Sequence, residues 1–414
     1  MRFAARAALA LAVMLAGAPA GRAADTVTIG AIYPLTGPSA GVGNAAKAAI
    51  EVAEDIINTQ HEGLEKLPLG AGAGLPGLKG AKLSVIFADH QGNPSVGQSQ
   101  VLRLVGHDKV VALIGADQSA VTVAATAAAE RDGIPFLVPD AVAPDITGRG
   151  FKWSFRTTPL RADFAKIYVE FLSEVKNAGK KADTVAFVFE NTDRGVAAAG
   201  AVRDAVKAAG FTVVADIAYA ANANDLSPQV LRLREKKPDV AIFISNTADA
   251  ILLIKTMKTL DYRPPVAIAD GSGFSDPAFV ASVGNLAQGL VSRSAWSPGA
   301  PGSADAIIDQ LYKVKTGHGL DDTGARIMQG FFVLADAIDR AGAIEPAAVQ
   351  KALRDTDLKS EQLIVGFRGV KFDAAGQNTL ASSYLTQLRG KEYVAVWPGA
   401  IAAAKPELPY RGWQ

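Results

Sequence analysis

Short runs of Val, Ile, Ala and Phe recur along the chain. Between them lie longer stretches in which apolar positions return every three or four residues. The short runs predict strands at residues 27–33, 83–89, 110–115, 135–138, 184–190, 211–219, 239–245, 265–270 and 289–293. The longer stretches predict helices at 44–58, 95–105, 119–131, 162–175, 196–209, 228–235 and 248–260. Such alternation of strand and helix implies an α/β protein with parallel sheets and right-handed crossovers. Val185-Ala186-Phe187-Val188-Phe189 is apolar at every position, as expected of a strand covered on both faces.

The series runs twice. The first ends near Thr147, and the second begins after Phe151-Lys152-Trp153-Ser154-Phe155-Arg156-Thr157. Strand spacing is similar in both, so two doubly wound parallel-sheet lobes are expected. Helices at 303–316, 322–340 and 346–354 and a hairpin-like stretch at 363–393 follow two series that are already complete. The chain is therefore expected to cross back and finish each lobe in turn. That gives 25–158 with 292–368 for the first lobe, and 159–291 with 369–414 for the second. The chain of 414 residues suits two cores better than one.

Composition narrows the compartment and the partners. Arg2 and Arg6 precede an apolar run over 7–20, and Gly21 and Ala23 have the spacing of a signal-peptidase site. This reads as a cleaved secretory signal over residues 1–24, and so as a periplasmic protein. The run falls short of the roughly 20 apolar residues of a membrane span. With no cysteine, a lipidated Cys, a disulfide framework and a thiolate site are all excluded. The 42 basic and 41 acidic residues nearly balance and form no basic stripe, so no nucleic-acid partner is expected. His61, His90, His107 and His318 are scattered, and no metal or other cofactor is expected from their spacing.

Open parallel sheets bind ligands beyond the carboxyl ends of their strands, where helix N-termini offer free N–H groups and partial positive charge. The turns to inspect in the first lobe are Pro38-Ser39-Ala40-Gly41-Val42-Gly43, Gln118-Ser119 and Asp140-Ala141-Val142. In the second they are Asn191-Thr192-Asp193-Arg194-Gly195, Asn246-Thr247 and Asp270-Gly271-Ser272-Gly273. Small polar residues suit a ligand held by many short arms, although turns favour them everywhere. Gly72-Ala73-Gly74-Leu75-Pro76-Gly77 matches a dinucleotide fingerprint by letters, but it follows no strand, so it reads as a flexible surface loop. Gly41-Val42-Gly43-Asn44-Ala45-Ala46 lies too far past its strand for that fingerprint and reads as a ligand-facing helix start. No nucleophile elbow and no His beside a nucleophile is present, so no enzyme is expected. Asp276 before Pro277 reads as a helix N-cap rather than one of a catalytic carboxylate pair.

Ile29-Gly30-Ala31-Ile32-Tyr33-Pro34-Leu35-Thr36-Gly37-Pro38-Ser39-Ala40 resembles the opening of periplasmic leucine/isoleucine/valine-binding proteins. So does the block from Ile114-Gly115 through Ser119, Thr122, Glu130, Gly133-Ile134-Pro135, Pro139, Ala141 and Pro144 to Ile146-Thr147. The similarity continues through 185–195 and 239–245 to Val394, Trp397 and Pro398. The resemblance implies a type I periplasmic binding fold, with two lobes joined by three crossover strands and closing by a hinge. It implies capture of a small polar ligand (amino acid, amide or small carboxylate) for the membrane permease of an ATP-binding-cassette importer, by a monomer. The same fold as an extracellular ligand-sensing module is the alternative.

In amino-acid binders of that family a first-lobe Ser and Thr hold the α-carboxylate, and a second-lobe acid holds the ammonium. Ser119 matches the Ser, Val142 stands for the Thr, and Asp140 occupies a usually small position. Asp270 falls near the acid, while Arg194 and Asn246 replace aromatic residues; a loop over 64–80 is a further departure. The expected ligand-binding set is Ser39, Val42, Ser119, Asp140, Ala141, Val142, Arg194, Asn246 and Asp270. Two ligands remain open. One is a zwitterion, with Asp270 on its ammonium and Ser119 on its carboxylate. The other is an anion gripped by Arg194, unless that Arg is spent on Asp193 or Glu190.

Overall fold

The structure, a computed structural model, describes residues 26–37 and 39–414. The signal expected over 1–24 lies outside the described residues. The chain opens with β1 (Thr26–Tyr33), α1 (Ala40–Asn58), β2 (Lys82–Asp89), α2 (Pro94–Gly106) and β3 (Ala112–Gly115). It continues through α3 (Ser119–Asp132), β4 (Phe136–Val138) and β5 (Ser154–Arg156). These strands form one parallel sheet in the order β2-β1-β3-β4-β5. Strand order reverses between β1 and β3, so the crevice of the first lobe opens past Tyr33 and Gly115.

A second series follows: α4 (Arg161–Asn177), β6 (Thr184–Glu190), α5 (Asp193–Ala208), β7 (Thr212–Tyr219), α6 (Ser227–Lys236) and β8 (Val240–Ile244). Next come α7 (Thr247–Thr259), β9 (Val266–Asp270), the short α8 (Ser272–Ser275), α9 (Pro277–Val283) and β10 (Val291–Ser294). After α10 (Ala304–Thr316), α11 (Asp322–Ala341), α12 (Pro346–Arg354) and the paired β11 (Asp357–Lys359) and β12 (Gly369–Lys371), a hairpin of β13 (Tyr384–Arg389) and β14 (Glu392–Trp397) ends the fold. The second sheet runs β14-β13-β10-β9-β8-β6-β7 and reverses between β6 and β8. Within it β13 alone runs against its neighbours, antiparallel to both β10 and β14.

Each sheet is covered on both faces, which explains the continuous apolar runs. In the first lobe Val27, Ile29, Ile50 and Ile57 share a core with Ile327, Phe331, Val349 and Phe372, so α11 and α12 complete a lobe begun 300 residues earlier. Ile32, Val101, Val121 and Phe136 fill the opposite face. In the second lobe Phe187, Val185 and Tyr168 pack on one face, and Val188, Phe243 and Leu253 on the other. No helix of the described residues is long and apolar enough to cross a membrane.

The chain passes between the lobes after β5, after β10 and between β12 and β13. Two of these passages are clasped together. The fully buried Arg156 gives Nε to Gln377 Oε1 at 2.6 Å, Nη1 to the Ala143 carbonyl at 2.6 Å and Nη2 to Thr147 Oγ1 at 2.9 Å. Gln377 and Asn378 in turn donate to the Thr158 and Thr157 carbonyls. The third passage is held by the Ala295 N–H, which donates to Asp322 Oδ1 at 2.6 Å.

Four expectations change. Residues 292–294 belong to β10 of the second sheet, and Val370 and Phe372 to the first core, so the second and third crossings fall later than the expected bounds at 291/292 and 368/369. The stretch 151–157 contains a strand, β5, whose Ser154 and Arg156 are buried. The hairpin begins at Tyr384, not Leu363, and turns at Gly390-Lys391. The Gly72–Gly77 string is no free surface loop: Leu64 and Leu75 are buried in the first core. The Gly77 N–H donates to Asp339 Oδ1 at 2.7 Å, and a Cβ on Gly77 would meet the Asp339 carbonyl at 2.1 Å. Those glycines permit close packing onto α11, not phosphate binding.

Candidate functional site: the cleft between the lobes

The turns past β3 and β4, the starts of α4 and α5, the end of β9 and the start of α11 surround a cavity of about 740 Å³, within the usual range for small-molecule sites. The first-lobe wall carries Asp117, Ser119, Asp140, Ala141 and Val142. The second-lobe wall carries Arg161, Phe164, Arg194, Asp270 and Arg293, and α11 supplies Asp322 and Arg326. The cleft is thus lined by charges of both signs, unevenly distributed.

Arg293 lies between the walls. Its Nε donates to Asp270 Oδ1 at 2.8 Å, its Nη1 is 3.8 Å from Asp322 Oδ2, and its guanidinium stacks 3.7 Å from the centre of the Phe164 ring. Burial works against this cation, but Asp270, Tyr168 and Asp322 outweigh burial and hold its pKa above the ordinary value. Asp322 also accepts from Arg326 Nε at 3.1 Å. Burial would push Asp322 up, yet Arg326 and Arg293 keep it below the usual carboxylate range. Asp270 accepts the Tyr168 hydroxyl as well, at 3.0 Å. This network joins second-lobe residues to the N-terminus of a first-lobe helix.

Arg161 begins α4 and, among the described residues, closes no hydrogen bond or ion pair. Burial, with Arg293 and Arg194 nearby, lowers its pKa, while Asp270 pulls the other way. Arg194 sits in the first turn of α5, which Thr192 caps by accepting the Gly195 N–H at 3.1 Å. Its Nη2 donates to Glu190 Oε1 at 2.8 Å, yet its side chain is 45% exposed and lines the cleft. Arg194 therefore pairs with Glu190, a buried carboxylate rather than the surface one expected, and still lines the cleft.

The first-lobe wall is acidic. Asp140 is 7% exposed; its Oδ1 accepts the Ala141 N–H at 2.9 Å, while its buried Oδ2 has no hydrogen-bond partner among the described residues. The Asp117 N–H is near enough to favour the charged form without closing a bond to Oδ2. Burial and the neighbouring Asp117 push Asp140 up to about 7 against the opposing pull of Arg326. Burial likewise raises Asp117 to about 6, with Arg194 and Arg326 opposing it.

Of the nine expected binding residues, the cavity gathers Ser119, Asp140, Ala141, Val142, Arg194 and Asp270. Three lie outside its lining. Ser39 accepts from Gln118 Nε2 at 2.8 Å, and Val42 sits half-buried on α1. Asn246 is the N-cap of α7: its Oδ1 accepts the Asp249 N–H at 3.0 Å, and its Nδ2 donates to Glu190 and Asp249. None of residues 41–46, expected as a ligand-facing helix start, lines the cavity, and Gly43 is pressed on Pro34. Asp276 is an N-cap as expected, accepting the Ala278 N–H at 2.8 Å. Asp117, Arg161, Arg293, Asp322 and Arg326 escaped the sequence reading. Only Asp117 had a local signal, as the neighbour of the Gln118-Ser119 turn. Among the described residues no group of three or more His, Asp or Glu could hold a metal ion.

Comparison with known proteins agrees with this architecture. A Leu/Ile/Val-binding protein homolog 8 of Brucella abortus (strain 2308) is 30% identical over 401 residues, which cover 92% of this chain and 92% of that protein. The isoleucine complex of LivJ, a branched-chain amino acid transporter substrate binding protein from Streptococcus pneumoniae str. Canada MDR_19A, superposes with a TM-score of 0.73. It is 22% identical and covers 93% of this chain and 100% of its own. A solute binding protein of an ABC transporter from Rhodopseudomonas palustris BisB5, bound to 3,4-dihydroxy benzoic acid, gives 0.71 at 20% identity, covering 94% of this chain and 99% of its own. The profile of the family described as "Periplasmic binding protein" matches residues 26–392, the cleft and every strand of both sheets up to β14, and the chain belongs to that family.

Proposed function

We propose that the protein captures a small carboxylate-bearing molecule in the cleft, leaves it chemically unchanged, and presents it to the permease of an ATP-binding-cassette importer. Membership of the periplasmic binding family supports the delivery role and a location outside the cytoplasm. The expected signal over 1–24 would direct the chain there, to act as a monomer without nucleic acid.

One observation carries the ligand class. Arg161 faces the cleft without a bonded partner, beside two further guanidinium groups. An arriving carboxylate would relieve repulsion among three cations and gain charge-assisted hydrogen bonds of about 1.5–3 kcal/mol each. The relatives fit this class: LivJ holds isoleucine and the Rhodopseudomonas palustris protein holds 3,4-dihydroxy benzoic acid, both carboxylic acids. An α-amino acid with its ammonium on Asp270 and its carboxylate on Ser119 is less favoured, because Arg293 already neutralises Asp270 and Asp140 would repel the carboxylate.

A thermal-shift panel of amino acids, amides, aliphatic acids and aromatic acids tests the proposal, since a bound ligand raises stability as RT ln(1 + [L]/Kd). The acids should raise the melting temperature and be recovered unchanged. Arg161→Ala should weaken the best acid by about tenfold or more. Equal affinity for Arg161→Ala and the parent protein would refute the carboxylate assignment.

A further inference from the structure

Asp140 has the surroundings of a recognition group, not of a structural carboxylate. Asp322 shows what a structural one looks like in this fold: equally buried, it accepts a backbone N–H and touches two guanidinium groups. Asp140 Oδ2 has none of these and is as deeply buried. A buried acceptor without a partner is costly, and such groups concentrate where a ligand supplies the missing bond.

The groups facing Asp140 come from three elements. Tyr33 at the end of β1 is fully buried, and its hydroxyl also has no hydrogen-bond partner among the described residues. Asp117 follows β3 with a left-handed backbone, φ 63°, just beyond Gly115, where a Cβ would meet the Ile32 carbonyl at 2.3 Å. The main chain thus fixes the second carboxylate beside the first. Arg326 on α11 donates to Asp322 at 3.1 Å, to Thr158 Oγ1 at 3.0 Å and to the Asp140 backbone carbonyl at 3.5 Å, but to neither carboxylate oxygen of Asp140. Across the cleft, Arg194 faces Asp117. Two carboxylates therefore meet on one wall, opposite the arginines of the other, with the phenol oxygen of Tyr33 buried near them outside the cavity lining.

We propose that Asp140 and Asp117 seat a cationic group, an ammonium or amidinium, at the far end of the carboxylate ligand. The cargo is then a zwitterion lying across the cleft, positive end on the first lobe and negative end on the second. This rests on the carboxylate assignment above and deepens it. The polarity is opposite to that implied by the resemblance to amino-acid binders, in which the first lobe takes the carboxylate. Burial raises both acids and Asp117 raises Asp140 further, a cost that a cation seated between them would relieve.

Two matched series test it by titration calorimetry at about pH 7.5: hexanoate, 6-aminohexanoate and hexylamine, and benzoate, 4-(aminomethyl)benzoate and benzylamine. In at least one series the added amine should tighten the acid by about tenfold or more. Asp140→Asn should remove that gain while leaving the parent acid equal or tighter, with an unchanged circular dichroism spectrum as the folding control. At about pH 5.5, where the acid pair takes up protons, the gain should shrink although the ligand carboxylate stays charged. An amine that adds nothing in either series, or a gain that survives in Asp140→Asn, overturns the proposal alone. Binding of a monoamine but of no acid overturns the carboxylate assignment and spares the acid pair. If no compound binds, both fall.

Discussion

A carboxylate that is buried, ionised and unpaired destabilises the protein that carries it, and Asp140 meets those conditions above neutral pH. Its folded-state value of about 7 exceeds that of an unfolded Asp, near 4. The unfolded chain therefore releases this proton first, so the folded state loses stability as pH rises from about 4 to 7. Asp140→Asn should abolish that loss. We expect the ligand-free variant to be more stable than the parent at about pH 8, by about 1–3 kcal/mol, and similar at about pH 4.5. Urea unfolding at the two values checks this, and a less stable variant at the higher pH would assign Asp140 a structural role. Asp322 titrates in the opposite sense: its value is held low, so its contribution is present at neutral pH and fades as pH falls.

Among the elements, two helices are positioned by close approach at their first turns, and one of them, α5, meets the cleft. A Cβ on Gly43 would fall 2.0 Å from the Pro34 carbonyl, and one on Gly195 would fall 2.1 Å from the Glu190 carbonyl. Each glycine lets a helix start directly against the strand before it. Since Arg194 adjoins Gly195, Gly195→Ala should displace the arginine as well as the helix. It should cost about 1–3 kcal/mol in urea unfolding and weaken the best acid from the panel; affinity unchanged at reduced stability would separate the two effects. The same elements explain what was readable beforehand. Strands such as β8, and β6 from Val185 to Phe189, are apolar at every position because both faces are covered, so their runs stood out. The short β5 did not, because burying Arg156 depends on Gln377, 221 positions away. The cleft was legible at Ser119, Asp140, Ala141, Val142, Arg194 and Asp270, because strand ends at a sheet reversal follow from topology. Arg161 and Arg293 lie where the chain enters or leaves a lobe, and only the meeting of the lobes gives them a common purpose. The 64–80 stretch misled by composition: glycines that permit tight packing look the same in sequence as glycines that permit motion.

At the level of the whole molecule, neither lobe is a continuous piece of chain. The first sheet is complete by Arg156, but one of its faces is covered by residues from Ala295 to Phe372. The second sheet gains β13 and β14 later still. A fragment ending at residue 290 should therefore lack a cooperative unfolding transition in its first lobe, because β1 and α1 would keep an apolar face in water. Calorimetry on the fragment decides this; a sharp transition with native-like near-ultraviolet dichroism would show that the later helices are dispensable. The clasp between Arg156 and Gln377 has a temporal counterpart. A ribosome delivers Arg156 long before Gln377, so this cation has no Gln377 partner until almost the entire polypeptide exists. Neither lobe can lock early, and contacts so distant in sequence form slowly. For a protein expected to be exported, that delay keeps the chain threadable until its final segment has followed.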